Sequence, residues 1–384
     1  MRIATLLFVY DRSCHTEQVL TSLKQNSVLP EKLFIFQDGQ KFGCDSKEWN
    51  KVNALINAIN WCDKEIHVSA VNKGLATSII SGINYVFEKY DAVIVLEDDC
   101  VPAVNFISFM NQCFEKYEKD ENVYSVSGYA YPVNLKKGKY DIYGCGRISS
   151  WGWGTWKNRW DTYEKDYEFV KRMKKEEKAS KNLAIWGRDL EEMLIGNVRG
   201  NCDSWAVFWA LGVILRNGAC INPYVSLIKN IGLDGTGEHC SVTDKFDVAL
   251  ADTDKEIYDL PDTVPLLQET IEKLVPLFGL YTAVMEDDPL KEDILVYGAG
   301  NFFIENEKSI IDKYNIKAFV DREKRGWFAG KRIIRPSEIK DNQYSRILIM
   351  VKDIYECEKI VEYLISLKID REKILIGYDL IEKK

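Results

Sequence analysis

The sequence predicts an α/β protein: a parallel sheet covered by helices on both faces, followed by a second, smaller α/β unit. Three observations predict it. Apolar runs of strand length alternate with segments of helical period through residues 1–100. Polar clusters follow directly on three of those runs. A strand, a glycine turn and a helix restart the pattern at residue 293. Alternating strands and helices lay consecutive strands parallel, with helices on the faces. Such sheets take ligands at the carboxyl ends of their strands.

Thr5–Tyr10 reads as the first buried strand, broken by Asp11-Arg12-Ser13. Val19, Leu20 and Leu23 suit a short helix face, and Lys32–Gln37 is a second strand ending in Asp38-Gly39. Val52, Leu55, Ile56 and Ile59 recur at helical spacing. Ile66–Val71 is a third strand, and Ile79, Ile80, Ile83, Val86 and Phe87 mark the next helix. Ala92–Leu96, wholly apolar with a β-branched centre, is a fourth strand ending in Glu97-Asp98-Asp99. Residues 123–247 are less regular and rich in Trp and Gly. Lys171–Lys181 mixes charges and reads as a solvated helix face; its interspersed Glu residues weaken a membrane-surface reading.

Acidic residues with Pro261, Pro265, Pro276 and Pro289 mark a composition shift over 252–292, around one helical segment at Leu266–Leu274. The expected division is therefore a first domain over 1–250, a linker over 251–292 and an accessory domain over 293–384. In the accessory domain the expected strands are Asp293–Tyr297, Ile316–Val320, Arg346–Val351 and Lys373–Gly377, with a helix at Cys357–Leu367. Gly298-Ala299-Gly300 matches the start of G-x-G-x-x-G, but Phe303 replaces the third glycine and puts dinucleotide binding in doubt. Asp321 lies at the distance of a ribose contact. A non-catalytic Rossmann-like accessory role, in nucleotide binding, partner contact or homodimer formation, is the plainer expectation.

Composition sets limits. At ~150 residues per domain, a chain of 384 residues holds two or three. An apolar share of 46%, with 10 Trp, 20 Tyr and 16 Phe, excludes intrinsic disorder. No apolar run reaches the roughly 18 residues of a membrane span. The opening Met1–Tyr10 reads as a strand and not as a signal peptide. A net charge of -8 without a basic block excludes a nucleic-acid partner. The 10 Cys stand singly with no C-x-x-C, against a zinc site or disulfide framework and for a reducing cytosol.

Glu97-Asp98-Asp99 is the strongest chemical signal. Like charges on the end of a buried strand need positive compensation. A hard divalent cation supplies it and bridges to substrate phosphates. The competing reading is an acidic turn or helix start after Pro102.

Asp11-Arg12-Ser13, Phe36-Gln37-Asp38-Gly39 and Leu96-Glu97-Asp98-Asp99 together resemble a nucleotide-sugar glycosyltransferase of the GT-A fold. The cast is that of family 2 enzymes, and in detail it is similar to N-acetylglucosaminyltransferase I relatives, over about residues 1–245. The resemblance implies a mixed sheet flanked by helices and a Mn²⁺ or Mg²⁺ held by Asp99 against a UDP diphosphate. It also implies donor-nucleotide contacts from Arg12, Asp38 and Asp98, with Asp38 on the uracil ring, and a donor-sugar contact from Glu97. Asn72-Lys73-Gly74 is similar to a family feature near the nucleotide, which makes Lys73 a candidate phosphate contact; a solvated helix-start lysine is its plainer reading.

Gly200-Asn201-Cys202-Asp203-Ser204-Trp205 holds the second key segment. The family has Asp-Asp-Trp there, with the first Asp as base. Asp203 keeps that position, while Ser204 replaces the second Asp. One base opposite the leaving group implies a single displacement with inversion. Asp203 could also cap the helix over Ala206–Leu215. Trp151 and Trp153, flanked by glycines, are candidates to stack on a sugar, balanced against core packing; Trp156 and Trp160 read as core. His239, ending the Gly-rich loop from Gly232, is a candidate metal or phosphate contact, balanced against a structural hydrogen-bonding role.

The expected function is an inverting, metal-dependent transfer of sugar from a nucleotide donor to a glycan, lipid-linked or protein acceptor in bacterial surface polysaccharide synthesis. The expected location is cytoplasmic, peripheral to the inner face of the membrane. A sugar nucleotidyltransferase is the alternative, disfavoured because Asp11–His15 lacks a triphosphate-gripping Gly-rich loop; a non-catalytic sugar-nucleotide scaffold is the other.

Overall fold

The computed structural model describes residues 1–43, 45–173, 176–236, 243–252, 255–264, 266, 268–278, 287–328 and 331–378. It divides into two compact units: Met1–Lys165 with Asp203–Lys273, and Asp166–Cys202 with Leu274–Lys384.

The first unit opens as β1 (Ile3–Val9), α1 (Ser13–Lys24), β2 (Leu33–Gln37), α2 (Lys47–Asn57), β3 (Lys64–Val68), α3 (Leu75–Val86) and β4 (Ala92–Glu97). It continues as β5 (Cys100–Pro102), α4 (Phe106–Tyr117), β6 (Val123–Ser127), β7 (Ile142–Cys145), β8 (Trp153–Trp156) and α5 (Lys157–Trp160). The chain then passes through α6 (Tyr167–Met173), α7 (Glu177–Trp186) and α8 (Arg188–Val198) of the second unit. It returns with α9 (Trp205–Leu215), β9 (Ala219–Pro223), β10 (Ile228–Asn230) and α10 (Gln268–Leu274).

The main sheet is mixed, with strand order β3-β2-β1-β4-β8-β6-β9-β7. The first four strands are parallel, as the alternating pattern requires, and β8 runs antiparallel to β4. Leu6, Leu7, Val93 and Leu96 of the central strands are fully buried, which fits strands covered on both faces. Helix α9 is apolar all round and correspondingly buried. Its N-cap is Ser204, whose side chain accepts from Val207 N, so the capping role anticipated for Asp203 belongs to its neighbour.

Two expected boundaries change. β3 ends at Val68 and not at Val71, because Ser69 N makes the last ladder bond, to Gln37 O, and the chain then turns back toward Asp38. The described residues of 251–262 do not form a free linker: they strap onto α4 and β7. Tyr258 packs edge-on to Phe109, Asp141 N donates to Asp259 O while Asp259 N donates to the Asp141 carboxylate Oδ2, and Tyr117 donates to Pro261 O.

The second unit adds β11 (Glu292–Tyr297), α11 (Asn301–Ile311), β12 (Tyr314–Val320), β13 (Gly326–Phe328), β14 (Lys331–Ile334), β15 (Arg346–Ile349), α12 (Ile354–Ser366) and β16 (Ile374–Ile376). Its sheet order is β13-β14-β12-β11-β15-β16, parallel except for edge strand β13. Order reverses at β11 and β15, the doubly wound arrangement the sequence predicts. Phe303 is fully buried and packs edge-on to Phe319, filling the helix–sheet space that a third glycine would close. Asp321 accepts from the amides of Glu323 and Lys324.

Candidate functional site

Parallel pairing of β1 with β4 sets Phe8 beside Glu97, so the residues following both strands emerge at one edge of the sheet. Arg12, at the start of α1, turns its guanidinium onto the acidic run. Its Nη2 donates to Asp98 Oδ1 and lies 2.8 Å from Asp99 Oδ2, and its Nε is 3.3 Å from Asp98 Oδ2. Its Nη1 is buried and has no hydrogen-bond partner among the described residues.

Three adjacent carboxylates face one guanidinium. Burial, then Asp99 and Asp98, push the half-buried Glu97 carboxyl up to about 8. Burial pushes Asp98 up to about 6 against the pull of Arg12. Burial opposes the Arg12 charge, but Asp98 and Asp99 outweigh it and hold the guanidinium above its ordinary value. The site therefore carries excess negative charge and an unsatisfied N–H donor together.

A second loop closes over Asp99. β10 pairs antiparallel with β5, setting Asn230 opposite Cys100. Ile231 N donates to Asp99 O, and Gly232 N to the buried Asn230 Oδ1. A methyl group on Gly232 would stand 2.1 Å from Asp99 Oδ2 and 3.0 Å from Arg12 Nη1, so a side chain there would have to displace the Asp99 carboxylate or the loop. His15 Nε2 lies 3.2 Å from Asp234 Oδ2 and ties α1 to the same loop. The sequence quotes Gly232 within a Gly-rich stretch but gives no sign that Asp99 presses on it. His239 lies outside the described residues.

Asp38 and the Asn72–Gly74 turn interlock. The Asp38 carboxylate accepts from Gly39 N at 2.9 Å, from Lys73 N at 2.9 and 3.1 Å, and from Gly74 N at 2.9 Å. Asn72 Nδ2 returns a bond to Gly39 O at 2.8 Å. Gly39 leaves no room for a side chain, whose Cβ would stand 2.3 Å from the Val71 carbonyl carbon. Lys73 is exposed and lines a cavity of about 540 Å³ with Asp38, His67, Ser78 and Tyr85.

The antiparallel register sets Val95 opposite Trp153 and carries Trp151 to the Glu97 end of the sheet. Trp151 is half-buried, edge-on to Tyr129 and Phe246. Trp153 is fully buried and stacks on Trp205 at 4.9 Å, with Trp160 and Trp209 around it; it is a core residue and offers no face to a sugar. Trp205 follows Asp203 by two positions, so the Trp153–Trp205 stack brings the start of α9 to the same sheet end. The Asp203 carboxylate is exposed and paired with Lys165 Nζ at 2.6 Å. Lys165 has no sequence signal, standing in an ordinary charged stretch.

Among the described residues no group of three or more metal-ligating side chains converges. The donor chemistry still fits a hard divalent cation, which takes one or two carboxylates and completes its shell from phosphates and water. Asp98 and Asp99 are the carboxylates at this strand end, and both are paired with Arg12.

The family described as "C2185-like, N-terminal" matches residues 290–375. No curated protein matches the chain. Among solved structures, the chain is similar to the mannosyltransferase PcManGT from Pyrobaculum calidifontis in complex with GDP-Man and Mn²⁺. Identity there is 10% and the TM-score 0.32, over 45% of this chain and 52% of that one. It is also similar to S. aureus TarS, at 9% identity and a TM-score of 0.30, over 44% of this chain and 30% of TarS. TarS 1-349 in complex with UDP aligns at 10% identity and a TM-score of 0.26, over 36% of this chain and 39% of that one. The chain thus spans about half the length of the mannosyltransferase and under a third of TarS.

Proposed function

We propose that the first unit is a nucleotide-sugar glycosyltransferase, moving a sugar from a nucleoside diphosphate donor, UDP by expectation, to an acceptor hydroxyl with inversion. One observation carries this reading: the buried Arg12 Nη1, with no partner among the described residues, beside three crowded carboxyl groups. The donor N–H needs an anionic oxygen, and the carboxylates need positive charge. A metal-chelated diphosphate answers both demands at once. A simple acidic ligand would leave the carboxylates uncompensated, and a bare cation would leave Arg12 Nη1 unsatisfied.

Arg12 binds and orients the diphosphate, its planar donors suiting phosphate oxygens. A Mn²⁺ or Mg²⁺ held by Asp99 would supply charge stabilisation to the departing diphosphate. Glu97 and Trp151, at the same sheet end, meet the donor sugar. The Asp38–Gly74 clamp and Lys73 build the nucleotide end. Asp203 takes the proton of the acceptor hydroxyl as it attacks, and Lys165 holds its carboxylate in place. The acceptor classes are a glycan, a lipid-linked sugar or a protein. No helix among the described residues is long and apolar enough to cross a membrane. The second unit serves as an accessory module, for nucleotide binding, partner contact or homodimer formation.

The test is calorimetry with UDP in the presence and absence of Mn²⁺, joined to slow hydrolysis of a UDP-sugar. Asp99→Ala is expected to abolish the metal-dependent part of both. Equal hydrolysis by the wild type and the variant sinks the assignment.

A further inference from the structure

The place proposed for the diphosphate is covered. Arg12 Nη1, the donor that awaits an anionic oxygen, is buried without a partner among the described residues. Backbone lies against it: a methyl group on Gly232 would stand 3.0 Å from Nη1. A phosphate oxygen needs to come within about 2.7–3.2 Å of that nitrogen, so it enters only when this cover withdraws. Gly232 is held from two sides. On the strand side, Ile231 N donates to Asp99 O at 2.9 Å and Gly232 N to Asn230 Oδ1 at 2.8 Å. On the other side the hold comes from α1. Asp234 divides its carboxylate. Its Oδ1 accepts from Thr236 N at 3.0 Å and from Thr236 Oγ1 at 2.7 Å, which folds the turn, and its Oδ2 faces His15 Nε2 at 3.2 Å. His15 lies in the first turn of α1, which starts from Arg12. The helix that presents the guanidinium therefore also anchors what covers it.

We propose that the His15–Asp234 pair is a latch: it holds residues 231–236 over Arg12 Nη1 and Asp99 in the ligand-free protein, and a nucleoside diphosphate opens it on binding. The choice of ligand rests on the transferase reading; the latch itself does not. The two side chains are 15% and 43% exposed, so the pair is weak, in the range of surface ion pairs. A latch of that strength lets the cover open for each donor molecule. Apparent affinity is reduced by the fraction of molecules whose loop is open, so breaking the latch strengthens binding, by about twofold to fivefold.

UDP with Mn²⁺ is titrated by calorimetry into the full chain as wild type, His15→Ala, Asp234→Asn and the double variant. Amide exchange is followed at Ile231 and Gly232 without nucleotide. Each single variant is expected to bind UDP about twofold to fivefold more tightly. The double variant should bind no more tightly than the better single one, because both cut the same contact. Exchange at the two amides should be faster in all three.

Charge alone gives another pattern. His15→Ala takes away positive charge and would weaken an anion, whereas Asp234→Asn takes away negative charge and would strengthen it. Anything but a gain in both variants, opposite signs above all, overturns the latch, as does unmoved exchange. If the wild type binds no UDP, the transferase reading fails, and exchange alone decides the latch: faster exchange at Ile231 and Gly232 in His15→Ala upholds it, and unchanged protection refutes it.

Discussion

Arg12 donates to Asp98 and Asp99 through one Nη2, lying 2.8 Å from Asp99 Oδ2, while its Nη1 stays buried without a partner among the described residues. The guanidinium is at once the internal counter-ion of the acidic run and an unfinished anion site. Removing it strands two nearly buried carboxylates. Arg12→Ala is expected to cost about 3 kcal/mol, the low end for breaking a buried pair, read from urea denaturation. Mn²⁺ should raise the melting temperature of the variant more than that of the wild type, because the cation then answers a larger charge surplus. An unchanged urea midpoint would mean the pair is only a surface contact.

The raised carboxyls set a pH dependence in the metal-free protein. In the unfolded chain Glu97 loses its proton near 4.5, whereas the folded protein keeps it up to about 8. Between those values the folded state binds more protons, so stability falls as pH rises. Asp98 adds to the same trend up to about 6. The contribution is full below about 4.5 and gone above about 8. Glu97→Gln should therefore stabilise the protein at pH 8 relative to pH 5, measured as the difference in urea midpoint. Equal effects at both values would rule out a raised Glu97.

Gly232 tests the packing of the second loop on Asp99. Its added methyl would overlap Asp99 Oδ2 at 2.1 Å, so Gly232→Ala must displace the carboxylate or the loop. Overpacking of this kind costs about 1–3 kcal/mol. The expected signature is an affinity for UDP with Mn²⁺ lowered about tenfold or more, with a smaller change for UDP alone. A variant that binds both as the wild type does would show that the loop yields freely.

The two tryptophans flanking Gly152 separate by role. Trp153→Ala removes a fully buried ring from the stack on Trp205 and should cost about 3–5 kcal/mol. Trp151→Ala, at a half-buried position, should leave the melting temperature nearly unchanged and raise KM for the sugar donor. The opposite assignment of stability and KM effects would reverse the two roles.

Periodicity made the scaffold legible. Alternating apolar runs and helical segments anticipated β1 to β4 in parallel and the restart at β11, because burial on both faces writes itself into composition. The strap formed by the described residues of 251–262 was not legible, since Pro and acidic residues look alike in a linker and in a chain pinned by Tyr117 and Asp141. The polar strand ends were visible, but their partners were not. That Asp38 spends its carboxylate on Lys73 and Gly74, or that Asp99 presses on Gly232, depends on contacts between distant segments that no local pattern records. Trp151 and Trp153 share the same glycine-flanked context, but Trp153 begins β8 whereas Trp151 lies before it, beyond the left-handed turn at Gly152, and no local pattern records that break.

Asp203 is the last element, and Lys165 makes it testable by contrast. The carboxylate is exposed, bonded to Lys165 at 2.6 Å, and free of capping duty because Ser204 caps α9. Asp203→Asn therefore removes no structural support, and the melting temperature should stay within a few tenths of a kcal/mol equivalent, as for about any surface substitution. Binding of UDP with Mn²⁺ should persist, since the base acts on the acceptor. Transfer should fall about 10²-fold or more, the usual scale of general-base loss. Lys165→Met leaves the base in place without its tether, so its expected effect is a smaller loss in kcat with donor affinity intact. If Asp203→Asn transfers sugar at the wild-type rate, the base lies elsewhere on the rim, and the inverting geometry built on α9 fails with it.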